Sequence, residues 1–281
     1  MLKKLEVIHF PKTVPEACKL LQDKGGKLVV LAGGTHLGVA EDSSITGLVD
    51  LKNAKLAYIR KEKKEFRIGA MTPVQDIFRS EILTGPSGRI LRSAAGSIGS
   101  TLLRNAITIG GNITAVFPWS DLPPVLLALD ASVVVHDGKR EKVIPIDKWL
   151  APTPKEALKP GELVTEIRVP EFGKETGTAF HKFAKTKNDY GIITVAVRLD
   201  TANGLISSAR VAVNAISRRP ARCLATEKIL VGKKLDAALA TKAAAASTQG
   251  LVMTADIRAS KEYRAEVLPV FVRRCLEDAL K

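Results

Sequence analysis

Cysteine is scarce in this chain of 281 residues: Cys18, Cys223 and Cys275 stand far apart, and none forms a CxxC pair. A disulfide framework is not expected, nor a cysteine-held zinc or iron–sulfur site within the chain. The four histidines, His9, His36, His136 and His181, lack ligand spacing of the HExxH kind, so no metal site is expected. Long apolar runs are missing too. No stretch approaches the roughly 20 apolar residues that a membrane span requires, so no span is expected. The start, Met1-Leu2-Lys3-Lys4-Leu5-Glu6, holds lysines but no apolar core. No secretory signal is expected, and the cytoplasm is the default compartment. Aromatic residues make up only 5%, too few to interleave with basic residues and stack on single-stranded nucleic acid.

What is present is an ordinary globular composition, 46% hydrophobic and 26% charged, with a net charge of +14. The length suffices for two or three compact units. The positive charge is dispersed. Arg60-Lys61-Glu62-Lys63-Lys64-Glu65 mixes both signs and reads as a solvated turn, while Arg218-Arg219 and Arg273-Arg274 are isolated pairs. No nucleic-acid role is expected from this pattern; a basic surface also suits an acidic partner subunit or an anionic substrate.

Hydrophobic periodicity divides the chain into three parts. Residues 1–52 read as β-α-β: a strand at Leu5–Phe10, a helix from Pro11 to Lys24 with Thr13 as N-cap, a stop at Gly25-Gly26, and a buried strand from Lys27 to Ala32. Residues 53–170 read as mixed: paired strands at Ala57–Ile59 and Glu65–Ala70, and a helix capped by Thr72 running to about Leu83. A further helix spans Ile90–Ala95, and a hairpin turns at Asp137-Gly138. Residues 171–281 read as an antiparallel meander with Asn203-Gly204 as one turn. Helices follow at Ala221–Leu230, Ala237–Ser247 and Lys261–Leu280, the last expected to kink at Pro269.

Two glycine turns carry the candidate chemistry: Leu31-Ala32-Gly33-Gly34-Thr35-His36-Leu37, directly after a buried strand, and Thr108-Ile109-Gly110-Gly111-Asn112-Ile113-Thr114. Adjacent glycines let the backbone turn sharply, approach a ligand closely and point N–H groups at an anion. Thr35, Thr108, Asn112 and Thr114 add hydroxyl and amide groups. Two such loops suit a diphosphate gripped from two sides, though either alone reads better as a tight turn. Neither GxGxxG after the first strand nor GxxxxGK[ST] is present. Gly96-Ser97-Ile98-Gly99 is close to a nucleophile elbow, but Ala95 replaces the first glycine and no His–acid pair completes it.

Ala32-Gly33-Gly34-Thr35, Arg104-Asn105-Ala106-Ile107-Thr108-Ile109-Gly110-Gly111-Asn112, Pro118-Trp119-Ser120-Asp121-Leu122-Pro123-Pro124 and the tail Asp256–Arg264 occur in that order. In this combination the chain resembles the FAD-binding (medium) subunit of molybdenum hydroxylases, the carbon monoxide dehydrogenase and xanthine dehydrogenase family. The resemblance implies an α+β fold: a two-part FAD-binding domain of the vanillyl-alcohol-oxidase-like (PCMH) type, then a C-terminal antiparallel sheet plus helices. It implies FAD as cofactor, with Leu31, Ala32, Gly33, Gly34, Thr35, His36, Leu37, Thr108, Gly110, Gly111, Asn112 and Thr114 along the diphosphate and ribityl region. Asp121 is expected to accept from a ribityl hydroxyl or the adenosine half, or to cap the helix that follows. Ile98 and Leu163 are expected near the rings, or simply in the core. Lys182, Lys185, Asp189 and Tyr190 belong to a segment by the exposed flavin edge, with a solvated strand end as the alternative for the lysines.

Three departures from the family pattern bear on affinity, potential and acceptor: His36 where an acid is usual, Lys185 where Arg is common, and Asp42 where a basic residue is common. The implied function is electron transfer from a small two-cluster iron–sulfur subunit and a large molybdopterin subunit, through FAD, to NAD or a quinone. No side chain need act as a general acid or base. A free-standing NAD(P)H-dependent flavin reductase is the alternative.

Overall fold

In the computed structural model, residues 2, 4–22, 27–37, 42–151 and 157–281 are described; the expected helix stop at Gly25-Gly26 lies outside them. Packing divides the chain into two units, each drawn from separated stretches. The first comprises Met1–Ile77, Ser100–Ala115 and Ser132–Arg168; the second comprises Phe78–Gly99, Val116–Ala131 and Val169–Lys281.

The first unit holds two sheets. Strands β1 (Val7–His9) and β2 (Leu28–Leu31) both pair in parallel with β3 (Gly47–Asp50), which lies between them. Helix α1 (Val14–Leu21) links β1 to β2. Its N-cap is Thr13, as expected, whose hydroxyl accepts from the Glu16 N–H. The helix buries Ala17 and Cys18 against Val49, Leu51, Leu56 and Leu163. The second sheet has the order β4 (Ile59–Glu62), β5 (Glu65–Gly69), β8 (Leu163–Pro170), β6 (Ser132–His136), β7 (Glu141–Pro145). Arg60, Lys61 and Glu62 are in β4 itself and pair with Arg67, Phe66 and Glu65. Only Lys63 and Lys64 turn, so the expected charged turn is shorter. Alternation explains the misreading, because the solvent face of a strand tolerates charges that a turn also favours.

Short helices complete this unit: α4 (Thr101–Ala106), α5 (Ile109–Ala115) and α7 (Ile146–Leu150). Helix α2 (Val74–Arg79) begins here and stops well before Leu83. Thr72 does not cap it; its hydroxyl donates to the Tyr58 carbonyl and accepts from the Tyr58 N–H.

The second unit is built on the antiparallel sheet β12 (Ala221–Arg222), β11 (Leu205–Asn214), β10 (Ile193–Ala202), β9 (Thr176–Phe183). Asn203 and Gly204, both at positive φ (53° and 75°), turn β10 into β11 as the sequence predicts. The helix expected from Ala221 starts later. Ala221 and Arg222 pair with β11 first, and α8 spans Leu224–Leu230. On one sheet face Ile193, Val195, Val197 and Leu199 meet α8, α9 (Ala237–Ala245) and α10 (Lys261–Ala279) in an apolar core. Helix α6 (Leu122–Ala128), with all seven residues buried, also packs against β10 and β11 in this unit. The helix expected at Ile90–Ala95 is longer: α3 runs from Gly85 to Gly96 with Pro86 in its first turn.

Candidate cofactor site

Within the first unit the two glycine segments, over 70 residues apart in sequence, come together. β2 ends at Leu31, and the chain leaves the sheet through Ala32, Gly33 and Gly34, the last at φ +71°. Gly33 lies flat on the end of α4: a Cβ there would stand 1.6 Å from the Ala106 carbonyl oxygen. Only glycine permits that approach. The second segment is not a turn. Gly110 and Gly111 form the first turn of α5, and Thr108 caps it, its hydroxyl accepting from the Gly111 N–H at 3.2 Å. Gly110 is needed because a Cβ would meet Ala70 at 2.7 Å. At Gly111 a Cβ would lie 3.9 Å from the Cβ of Ala32, so this bare backbone faces the first loop.

The two segments differ in what they offer a ligand. The α5 donors are spent inside the protein: Ile109 on Thr72, Gly110 on Ala70, and Gly111 and Asn112 on Thr108. Thr114 donates its hydroxyl to the Gly110 carbonyl at 2.7 Å, leaving its oxygen as an acceptor. The first loop is open. The consecutive N–H groups of Gly33, Gly34 and Thr35 donate to no protein acceptor among the described residues. Successive N–H groups at a left-handed turn make an anion-binding concavity. Asn112 Oδ1, buried, accepts from no donor among the described residues. Thr35 and His36 are exposed and Leu37 half-buried. This donor set fits an anionic, polyhydroxylated ligand such as a dinucleotide. Leu163, by contrast, is 3% exposed and belongs to the apolar cluster under α1.

Within the second unit Asp121 and Lys182 form a buried ion pair. Their side chains are 3% and 9% exposed, with Nζ 2.8 Å from Oδ2. Lys182 also donates to the Ser97 carbonyl at 3.0 Å, and the Thr194 hydroxyl donates to Asp121 Oδ1 at 3.3 Å. Ser97 Oγ lies 3.2 Å from Oδ2. Burial pushes the Asp121 carboxyl up, and the Lys182 ammonium pulls it part of the way back. Two expectations change here. Lys182 is no solvated strand end, because its head is drawn inward by the carboxylate. Asp121 does not cap α6: its backbone is already αR and its side chain makes no cap bond. Ile98, next to Ser97, is 8% exposed. Lys185 and Asp189 are exposed.

Tyr190, 56% exposed, sits in a different cluster. Its ring lies 5.0 Å from that of Trp119, which stacks on Phe117 at 5.1 Å, and the Arg258 guanidinium stands 4.8 Å over Trp119. Sequence reasoning missed Ser97, Thr194 and Arg258 as members of these clusters. Ser97 stood out only as part of a failed elbow motif, and a threonine inside a strand carries no signal of its own.

Comparison with known proteins decides what this arrangement belongs to. The family described as "FAD binding domain in molybdopterin dehydrogenase" matches residues 3–172, and the "CO dehydrogenase flavoprotein C-terminal domain" matches residues 178–279. This chain is an FAD-binding subunit of the molybdenum hydroxylase family. It is 34% identical to the 6-hydroxypseudooxynicotine dehydrogenase complex subunit alpha of Paenarthrobacter nicotinovorans, over 95% of this chain and 92% of that one. It is 26% identical to the xanthine dehydrogenase FAD-binding subunit of Escherichia coli O157:H7, over 97% and 95% of the two chains. Its fold matches that of carbon monoxide dehydrogenase from Hydrogenophaga pseudoflava, in a structure that lacks the Mo-pyranopterin moiety of the molybdenum cofactor. That match has TM-score 0.93 at 30% identity and covers 99% of this chain and 98% of the other. The FAD-binding subunit is therefore of the PCMH type, with FAD as its cofactor, and is part of an oxidoreductase. Among the described residues no helix is long and apolar enough to cross a membrane.

Proposed function

We propose that this FAD-binding subunit is the electron-delivering flavoprotein of a complex. Its partners are a small subunit with two iron–sulfur clusters and a large molybdopterin subunit, and its acceptor is NAD or a quinone. Bound FAD supplies the coupling of single-electron arrival to two-electron release, and the protein supplies binding, orientation and electrostatics. The open N–H groups of Gly33, Gly34 and Thr35 carry this reading, because a diphosphate needs donors that the fold has not already used.

Under this reading Leu31–Leu37 hold the diphosphate, and Thr108, Gly110, Gly111, Asn112 and Thr114 bound the ribityl region with close backbone and acceptor oxygens. Asp121 offers a carboxylate to a hydroxyl, Ile98 and Leu163 supply apolar surface, and Lys182 and Tyr190 tune the surroundings of the rings. No residue need act as a general acid or base. The division 1–52, 53–170 and 171–281 is retained for the functional domains, supported at its last boundary by the matched segments 3–172 and 178–279. Three buried free thiols support a reducing, cytoplasmic compartment.

The test is affinity purification from the native host with cofactor analysis. Co-purification of an iron–sulfur subunit, a molybdenum subunit and FAD is expected. A chain isolated without either partner, turning over NAD(P)H and soluble acceptors alone, would overturn the reading in favour of a free-standing flavin reductase.

A further inference from the structure

The second unit places three polar side chains in one row across its sheet. Lys182 on β9 is the direct partner of Thr194 on β10, and Thr194 is the direct partner of Asn214 on β11. Directly opposed residues share a sheet face, so all three project to the same side. There they grip one short segment. Lys182 and Thr194 hold the two oxygens of Asp121, and Asn214 Nδ2 donates to the carbonyl of the preceding residue, Ser120, at 2.7 Å. The next residue adds a fourth point: the Ala215 N–H donates to the Pro118 carbonyl at 2.8 Å.

The grip is built under strain. Ala215 has φ +66°, and Val116, where the gripped segment begins, has φ +32°, a conformation that a β-branched residue rarely adopts. Strain of this kind persists only where the surroundings over-determine it. Asn214 is fully buried, yet its Oδ1 accepts no bond among the described residues. A buried amide half-satisfied in a β-strand is a poor choice for stability alone, since an apolar residue would pack there at no such cost.

We infer that Asn214 is a positioning residue for the cofactor: by fixing the Ser120 carbonyl it sets where the Asp121 carboxylate stands, and so how Lys182 is neutralised. Asn214 touches neither Asp121 nor Lys182 in a side-chain hydrogen bond; it acts through the backbone between them. The inference rests on the reading that Asp121 contributes to the FAD surroundings.

The test is a double-mutant cycle on FAD binding by the full chain, read from flavin fluorescence, with thermal melting alongside. Asn214→Leu removes the donor on the same branched skeleton, with a larger side chain, and Asp121→Asn removes the charge. Loss of one hydrogen bond corresponds to about a fivefold weaker dissociation constant for Asn214→Leu. In the Asp121→Asn background the same change is expected to have little further effect, because the group that Asn214 positions is already gone. Independent, multiplicative effects, or a silent Asn214→Leu, would overturn the inference. A silent Asp121→Asn would instead overturn the placing of Asp121 near FAD, so the two failures are distinct. If Asn214→Leu does not fold, Asn214→Ala enters the same cycle.

Discussion

Replacing Lys182 by Met removes an ammonium held 2.8 Å from Asp121 at a place where both side chains are nearly sealed from water, 9% and 3% exposed. Breaking a buried pair from one side costs about 3–5 kcal/mol, because the remaining charge stays desolvated. The lower part of that range applies, since the Ser97 and Thr194 hydroxyls still face the carboxylate. Asp121 has a second escape: it takes up a proton. Burial already pushes its carboxyl up, and without Lys182 only the hydrogen bonds with Ser97 and Thr194 pull it back.

The sign follows from linkage. A carboxyl whose folded pKa lies above its unfolded value of about 3.9 contributes stability below that value and loses it as pH rises through the folded pKa. Lys182→Met is therefore expected to lose least near pH 4 and most at pH 8, relative to the parent. Urea denaturation at several pH values, with and without FAD, measures this. The double variant Lys182→Met/Asp121→Asn, carrying no buried charge at the pair, should recover most of the loss. A penalty below about 1 kcal/mol that does not vary with pH would mean that the pair behaves like a surface ion pair, and would refute the argument.

Four further outcomes are expected. Gly33→Ala forces a methyl onto the Ala106 carbonyl and should both destabilise the first unit and abolish FAD retention. Gly111→Ala keeps a helical backbone, but its Cβ would stand 3.0 Å from the Thr108 hydroxyl oxygen that caps α5, so that side chain must give slightly; the change should cost far less melting temperature than Gly33→Ala while binding FAD more weakly, and equal FAD affinity in parent and Gly111→Ala would contradict the placing of the cofactor beside these segments. All three cysteines are buried, with Cys18 pushed up to about 11 and Cys223 to about 12 by burial, and Cys275 raised as well. No thiol should react with a thiol reagent at pH 8 until the protein unfolds, and stability should fall as pH rises above about 9, where only unfolded thiols ionise; fast labelling of the native protein would show the burial to be wrong. Burial alone would raise Asp256, but its bonds to Arg258 and Arg264 hold its carboxyl below the ordinary range. Its contribution is present above about pH 4 and lost as pH falls through the folded pKa, so Asp256→Asn should flatten the acid limb of the stability profile.

Much of this protein could be read in the chain. Thr13 capped its helix, Asn203-Gly204 made its turn, and the scarcity of cysteine and of long apolar runs excluded whole classes, because each depends on local chemistry or on composition. The glycine loops were visible for the same reason: Gly33-Gly34 and Gly110-Gly111 are rare pairs in polar company. Their difference was not visible. Whether a glycine N–H is spent, as at Gly110 on Ala70, or open, as at Gly34, depends on residues brought up from elsewhere.

Asp121 shows the same limit. Before a run of apolar residues it reads as a helix cap. Its true partners, Ser97, Lys182 and Thr194, come from one helix end and two strands whose alignment arises only when the sheet forms. Periodicity tells which face of a strand is buried. The register that makes Lys182, Thr194 and Asn214 neighbours is set by pairing between distant segments, and only the tertiary structure decides it.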